Sequence, residues 1–179
     1  MSENDKRKRK RKRKFALVWS GIMVIVLLPT IGVLISLFID SIIGITSFIT
    51  YPINLIGSFI ILPIGLFWAL WSNYSIYKIG EGSPVPTKDT ETQKLVIVGP
   101  YKYTRNPMIF GYALFWYALG FFFNSLFLTL GFTTVIIVFL IAFVKLWEEK
   151  NLEERFGHEY IEYKRRVSFV IPLPQKKEK

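Results

Sequence analysis

Hydrophobic and polar positions divide this chain into long apolar blocks separated by charged stretches, and the blocks predict most of the architecture. Phe15 to Ile39 is 25 consecutive uncharged positions. At about 1.5 Å per residue they exceed the roughly 30 Å hydrocarbon core of a bilayer, which predicts a spanning helix ended by Asp40. The block is too long for a signal peptide and lacks a small-residue cleavage site, so a retained span is expected. Ser41 to Pro52 is apolar but broken by Gly44 and Pro52, which suits a short interfacial or re-entrant piece. A second span is expected from about Ile53 to Tyr74, with a kink at Pro63. Lys78 to Arg105 is polar and carries Gly80, Gly82, Pro84, Pro86, Gly99 and Pro100, which is loop chemistry with one apolar patch at Leu95 to Val98. Pro107 to Phe123 and Ser125 to Trp147 then predict two helices joined at Asn124, a helical hairpin. Beyond Trp147 the apolar residues Leu152, Phe156, Tyr160 and Tyr163 recur at helical spacing among charges. They predict an amphipathic, interface-lying helix interrupted near Gly157.

The expected fold class is therefore all-α: a polytopic membrane protein with about four transmembrane helices and an amphipathic C-terminal helix. Its expected parts are a polybasic tail (1–14), an N-terminal membrane region (15–77, with spans near 15–39 and 53–74) and a loop (78–106). A membrane hairpin (107–147) and an interfacial helix with a tail (148–179) complete it. Composition agrees, with 51% hydrophobic residues, 17% aromatic and only 20% charged at a mean hydropathy of +0.35. This excludes an ordinary soluble enzyme and a disordered chain. The absence of cysteine excludes disulfides, thiolate metal sites and a cysteine nucleophile.

Charge fixes the orientation. The net charge of +10 looks like a nucleic-acid signal until it is located: nine basic residues form the run Lys6 to Lys14, and the remainder of the chain carries +1. No nucleic acid is expected, because the run lacks interleaved aromatics and a folded platform. It suits anionic lipid instead, at about 1 kcal/mol per residue close to the surface. All other Lys and Arg fall in Lys78–Arg105 or Lys145–Lys179. The positive-inside rule thus puts both termini and the middle loop in the cytoplasm of a multi-pass integral membrane protein.

Polar groups able to converge are few. Arg105 stands 19 residues before Asn124 and Glu148 stands 24 after it. The difference is about 7 Å along the helix axes, so Arg105 should lie near the Glu148–Glu149 pair at the membrane surface. Opposed charges there suit a zwitterionic ligand; equally, Arg105 snorkels and the glutamates are helix-end charges in water. His158, the single histidine, reads as a solvated side chain. No metal site is expected, since carboxylates are not clustered. Gly80-Glu81-Gly82 lacks the strand and helix of a dinucleotide fingerprint, and the aromatic stretch Phe115 to Phe123 reads as packing surface.

Several ordered blocks carry a resemblance. They are Gly99-Pro-Tyr-Lys-Tyr-Thr-Arg-Asn-Pro-Met-Ile-Phe-Gly111, Glu148-Glu149-Lys-Asn-Leu152, Phe156-Gly-His-Glu-Tyr160-Ile-Glu-Tyr163 and Val167 to Pro172. Together, over about Gly80 to Pro172, the chain resembles the isoprenylcysteine carboxyl methyltransferase family, related to the phospholipid methyltransferases. The resemblance implies S-adenosyl-L-methionine as cofactor. It implies a cofactor site at Gln93, Lys94, Leu95, Val96 and Tyr101 of the loop, at Arg105, Asn106, Pro107 and Met108, at Gly111 as a point of close approach, and at the Glu148–Glu149 pair. It further implies a lipophilic or prenylated acceptor drawn from membrane lipids. Three positions depart from the family pattern. Asn106 stands where histidine is usual, and Ile109 where tyrosine is frequent. Val144 stands where the eukaryotic prenylcysteine enzymes have a substrate-associated arginine; Lys145, beside it, is the substitute cation for substrate. Sterol-type reductases using NADPH resemble the same C-terminal region, and a non-catalytic basic membrane adaptor is the third alternative.

Overall fold

The computed structural model describes residues 3–82 and 91–175; Pro84, Pro86 and Lys88 of the polar loop lie outside the described residues. The chain opens with two helices in one continuous rod, α1 (Glu3–Ile22) and α2 (Leu28–Ile43), joined by a π-helical turn over Met23–Leu27. Pro29, just beyond that turn, has no N–H to give, and the widened turn absorbs the missing bond without ending the helix. Two expectations are corrected here. The basic run Lys6 to Lys14 belongs to α1 rather than to a tail, and α2 passes Asp40 to end at Gly44, whose left-handed φ of 79° closes it.

Asp40 stays helical because its charge is satisfied inside the bundle, where it is only 4% exposed. Its Oδ1 accepts the Phe127 N–H at 3.0 Å and its Oδ2 accepts the Ser125 hydroxyl. Ser125 Oγ accepts the Leu128 N–H at 3.0 Å. The carboxylate thus caps the start of the last long helix, where unpaired N–H groups and the helix dipole favour an anion.

Residues 44–52 form a non-helical connection laid on the turn that precedes that helix. Asn124, at φ 51°, accepts the N–H groups of Phe48 and Ile49 at 3.2 and 3.1 Å and donates to the Ile49 carbonyl at 2.8 Å. This segment contains no helix long enough to cross a bilayer. α3 (Ile53–Lys78) carries Pro63 internally and runs a turn beyond the expected Tyr74. After the loop, a 3₁₀ turn at Gly99–Lys102 leads into α4 (Pro107–Phe122). The last long helix is continuous over Phe127–Phe156. It comprises a π-helical turn at Phe127–Phe132, α5 (Thr133–Phe143), a second π-helical turn at Val144–Glu148, and α6 (Glu149–Phe156). The expected break at Trp147 is absent; the chain turns at Gly157 (φ 55°) into α7 (His158–Arg166).

Among the described residues three helices, Met23–Ile43, Ile53–Lys78 and Phe127–Phe156, are long and apolar enough to cross a bilayer, with Pro107–Phe122 a shorter fourth. α4 is the inner helix, in contact with α2, α3 and the α5 line. Its Trp116 is fully buried beside Val33, Phe115 and Leu128, while Leu34, Phe59, Val135 and Phe139 face outward. An apolar exterior around a helical bundle is what lipid solvation requires. The protein is an all-α integral membrane protein; an isolated Thr104–Ser168 bridge is the sole extended pairing among the described residues.

The α3–α4 contact is closest at Gly65 and Gly111. A Cβ on Gly111 would stand 2.6 Å from the Ala69 nitrogen and 2.7 Å from the Gly65 carbonyl oxygen, and both obstacles are backbone. Small residues let membrane helices approach this closely, and Ser58 donates across to the Ala118 carbonyl at 2.9 Å.

Candidate functional site

Lys78, Arg105 and Glu149 lie at the end of the bundle opposite Asn124, because α3 arrives there, α4 leaves from it and the last helix returns to it. The loop is fixed on α7 by an apolar cluster in which Leu95 and Tyr101 meet Tyr160, Tyr163, Val167, Leu152 and Phe156. Tyr163 donates to the Tyr101 carbonyl at 2.8 Å, and the Tyr101 hydroxyl shares a 2.9 Å hydrogen bond with Ser72 of α3. The residues after α7 form a strap along 103–106. The Arg105 N–H donates to the Ser168 carbonyl at 2.9 Å, as Leu173 N–H does to the Tyr103 carbonyl. The Thr104 hydroxyl and the Asn106 side-chain amide both donate to the Phe169 carbonyl, at 3.1 and 2.8 Å.

Arg105 projects from this scaffold onto Glu149. Their Nη1 and Oε1 atoms are 2.5 Å apart, with side chains only 11% and 7% exposed. Lys164 of α7 takes the other oxygen, Oε2, at 3.0 Å and Glu153 at 2.6 Å. Tyr160 of α7 is itself buried. Burial, reinforced by the Glu149 charge, pushes its hydroxyl well above the ordinary tyrosine value; burial does the same for Tyr101 and Tyr163. All three are neutral hydroxyls at any working pH. Lys164 is raised above 10.5, first by its hydrogen bond to Glu153.

The arrangement leaves polarity unused. Nε and Nη1 of Arg105 and Oε1 of Glu149 are buried with no hydrogen-bond partner: the charges touch but are not aligned as donor and acceptor. Glu148 is half-buried, and among the described residues no ion pair or hydrogen bond engages it.

The sequence-derived site residues fare differently. Arg105 and the glutamate pair do come together, but the partner is Glu149 rather than Glu148. The π-helical turn explains this, because the Glu149 N–H bonds the Val144 carbonyl five residues back instead of four. Such an insertion rotates the following side chains by about 100° relative to a regular helix. Contact also closes the space between guanidinium and carboxylate, so a ligand does not fit between them as the spacing argument had it. Tyr101 and Leu95 are in the cluster, and Val96 is buried at 4% exposure. Gln93 and Lys94 expose their side chains, which bond the Glu91 carbonyl and Glu81; their backbone N–H groups close on the Gly80 carbonyl at 2.7 and 3.4 Å. Asn106 spends its amide on the strap. Pro107 is buried at the first turn of α4, and Met108 is half-buried beside it. At Gly111 the close approach is to α3, whose backbone a side chain there would strike. Lys145 is exposed and stands 5.1 Å from the centroid of Phe169, whose ring also lies 5.3 Å from Arg105. His158 has an 82% exposed side chain.

Tyr160, Lys164 and Phe169 were not identified as site residues from sequence. Tyr160 was visible only as part of an apolar periodicity, Lys164 as one charge in Lys164-Arg165-Arg166, and Phe169 inside a block of unassigned role. Two surface clefts lie away from the charges. One, of about 150 Å³, lies between Ile97 and α7, and one, of about 380 Å³, borders Asn124 at the far end.

Comparison with known proteins bears on these residues. A family model described as phospholipid methyltransferase matches residues 53–159, which takes in α3, the loop, α4, the last long helix and the start of α7. A protein-S-isoprenylcysteine O-methyltransferase of Saccharomyces cerevisiae is 37% identical over 98 residues, which cover 50% of this chain and 37% of the yeast protein. The chain thus matches well under half the length of that relative.

Proposed function

The chain belongs to the phospholipid methyltransferase family, and from that premise we propose that it is an S-adenosylmethionine-dependent methyltransferase acting on a lipid or isoprenoid-type acceptor. The observation that carries the reading is the unused polarity at the loop end of the bundle. The buried Nε of Arg105 has no hydrogen-bond partner, and half-buried Glu148 has none among the described residues. Buried polar groups of a native protein are normally satisfied, and orphaned ones ask for a ligand. S-adenosylmethionine is a zwitterion with a carboxylate, an amine and ribose hydroxyls. Arg105 matches the first and Glu148 the others. When bound, it supplies a methyl group on a cationic sulfur.

The chain's residues divide the work. Arg105 and Glu148 bind, Glu149 anchors Arg105, and Tyr101 with Leu95 and Val96 forms the apolar wall. Asn106 and Pro107 set the start of α4, and Met108 faces the same region. Glu148 binds rather than stabilises the sulfonium, because transfer discharges that sulfur and an anion held tightly against it would oppose the reaction. Catalysis then rests on positioning and exclusion of water. A carboxylate acceptor, with a reference pKa near 3.5, is already ionised and needs no base; an amine must first shed a proton. The exposed His158 and the high-pKa tyrosines offer poor bases, so the site suits carboxyl O-methylation better than N-methylation. Lys145, on the free side of Phe169, is the cation for an anionic acceptor group.

The location suits the chemistry. A water-soluble donor and a bilayer-dissolved acceptor meet at the interface, and by the positive-inside rule the end bearing Arg105, Lys78 and Lys164 is the cytoplasmic one, together with both termini. The basic run Lys6 to Lys14 attaches to anionic lipid there. The test is incubation of the purified protein in native-lipid nanodiscs with methyl-labelled S-adenosylmethionine. Label in a base-labile lipid ester is expected. Label in a phospholipid headgroup amine would replace O- by N-methylation. No label, with oxidation of added NADPH instead, would refute a methyltransferase.

A further inference from the structure

Glu149 is held from two sides, and the second side is the informative one. A carboxylate facing an arginine in a protein interior ordinarily accepts two parallel N–H bonds in a fork. Here that fork does not form: Arg105 meets Oε1 alone at 2.5 Å, while Lys164 occupies Oε2 at 3.0 Å. Lys164 is itself braced by Glu153 at 2.6 Å and lies one helical turn beyond the buried Tyr160. The consequence is legible at Arg105, whose Nη1 is spent on the contact with Oε1 and whose Nε stays without a hydrogen-bond partner although buried. Gly157 makes the arrangement possible by folding α7 back so that a cation four residues after Tyr160 reaches an acid at the start of α6.

We propose that Lys164 is a positioning residue for the ligand site: by occupying Oε2 of Glu149 it opposes a bidentate Arg105–Glu149 pair and keeps the guanidinium Nε–H free for an anionic group of the ligand. This rests on the methyltransferase reading, with the carboxylate of S-adenosylmethionine as the anion. Hydrogen bonding to Glu153 and Glu149 keeps Lys164 protonated throughout the neutral range.

The test is titration of S-adenosylmethionine into wild type, Lys164→Met and Lys164→Arg, together with kcat and KM from methyl transfer to native membrane lipids. Loss of that opposition lets Arg105 close on Glu149 and withdraws the Nε–H, so Lys164→Met should weaken binding about tenfold, the worth of one charge-assisted hydrogen bond. KM for the cofactor should rise in step and kcat at saturation should move less than about twofold. Lys164→Arg, which keeps a cation on Oε2, should restore most of the affinity. The Arg105 Nε–H, followed by 15N NMR, should shift in Lys164→Met without ligand and return in Lys164→Arg. Unchanged affinity in Lys164→Met, or a fall in kcat with unchanged KM, would overturn the proposal while leaving the methyltransferase reading in place. Failure of wild type itself to bind S-adenosylmethionine would overturn both. Loss of folding in Lys164→Met with full affinity in Lys164→Arg would be resolved by the NMR shift measured in Lys164→Gln: no shift there overturns the proposal.

Discussion

Truncating either partner of the Arg105–Glu149 pair should destabilise the protein unequally. Both side chains are nearly excluded from solvent, at 11% and 7% exposure, and stranding a buried charge costs about 3–5 kcal/mol. Glu149→Ala takes from Arg105 its ion-pair partner and also takes one from Lys164, so it should cost about 4 kcal/mol, the middle of that range. Arg105→Ala leaves Glu149 with Lys164 at 3.0 Å and should cost about 2 kcal/mol. The double variant removes the stranded cation and should fall short of the sum by about 2 kcal/mol, a coupling typical of residues in contact. For a chain of this size 1 kcal/mol corresponds to about 2–4 °C in Tm, so Glu149→Ala should melt roughly 8–16 °C below wild type. Thermal unfolding in detergent micelles, followed by tryptophan fluorescence for the three variants, measures the cycle. Equal single effects that simply add would refute the reasoning, since they would mean that Lys164 does not share the carboxylate.

Other consequences are more local. Gly111→Ala should cost about 1–3 kcal/mol by forcing α3 and α4 apart, because its Cβ meets backbone at 2.6 and 2.7 Å; Gly21→Ala, with open space around it, should change Tm by no more than about 1 °C. Asp40→Ala should lower stability by about 1–3 kcal/mol through loss of the cap and an orphaned Ser125 hydroxyl, with Asp40→Asn recovering part, both read by the same melts. The raised Lys164 contributes stability that is complete below its unfolded value of 10.5 and is lost as pH climbs through the higher folded value. The Tm difference between wild type and Lys164→Met should therefore be constant from pH 7 to about 10 and shrink above it.

The long apolar blocks were legible in the sequence because membrane solvation permits little else: uncharged runs of that length become helices, and both the hairpin at Asn124 and the turn at Gly157 lie where the pattern put them. What the pattern misjudged were charges with private partners. Asp40 looked like the end of a helix, since nothing in its neighbourhood reveals that Ser125 and Phe127, 85 and 87 residues later, would satisfy it. The choice of Glu149 over Glu148 depends on one π-helical turn, a single-residue insertion in hydrogen bonding that residue periodicity does not encode. Gly111 was legible as a point of close approach but not as an approach to α3, because a missing side chain announces contact without naming the neighbour. Lys164 and Phe169 gained their roles only through the fold-back of α7 and the strap, contacts that local sequence does not specify.

The central claim is that Arg105 and Glu148, at the loop end of the bundle, grip S-adenosylmethionine. Calorimetric titration of the cofactor into wild type, Arg105→Ala and Glu148→Gln in nanodiscs tests it most directly. Wild type should bind, and each variant should lose at least about tenfold in affinity while still inserting as a folded bundle. Full affinity in both variants, or no binding by a folded wild type, would contradict the account.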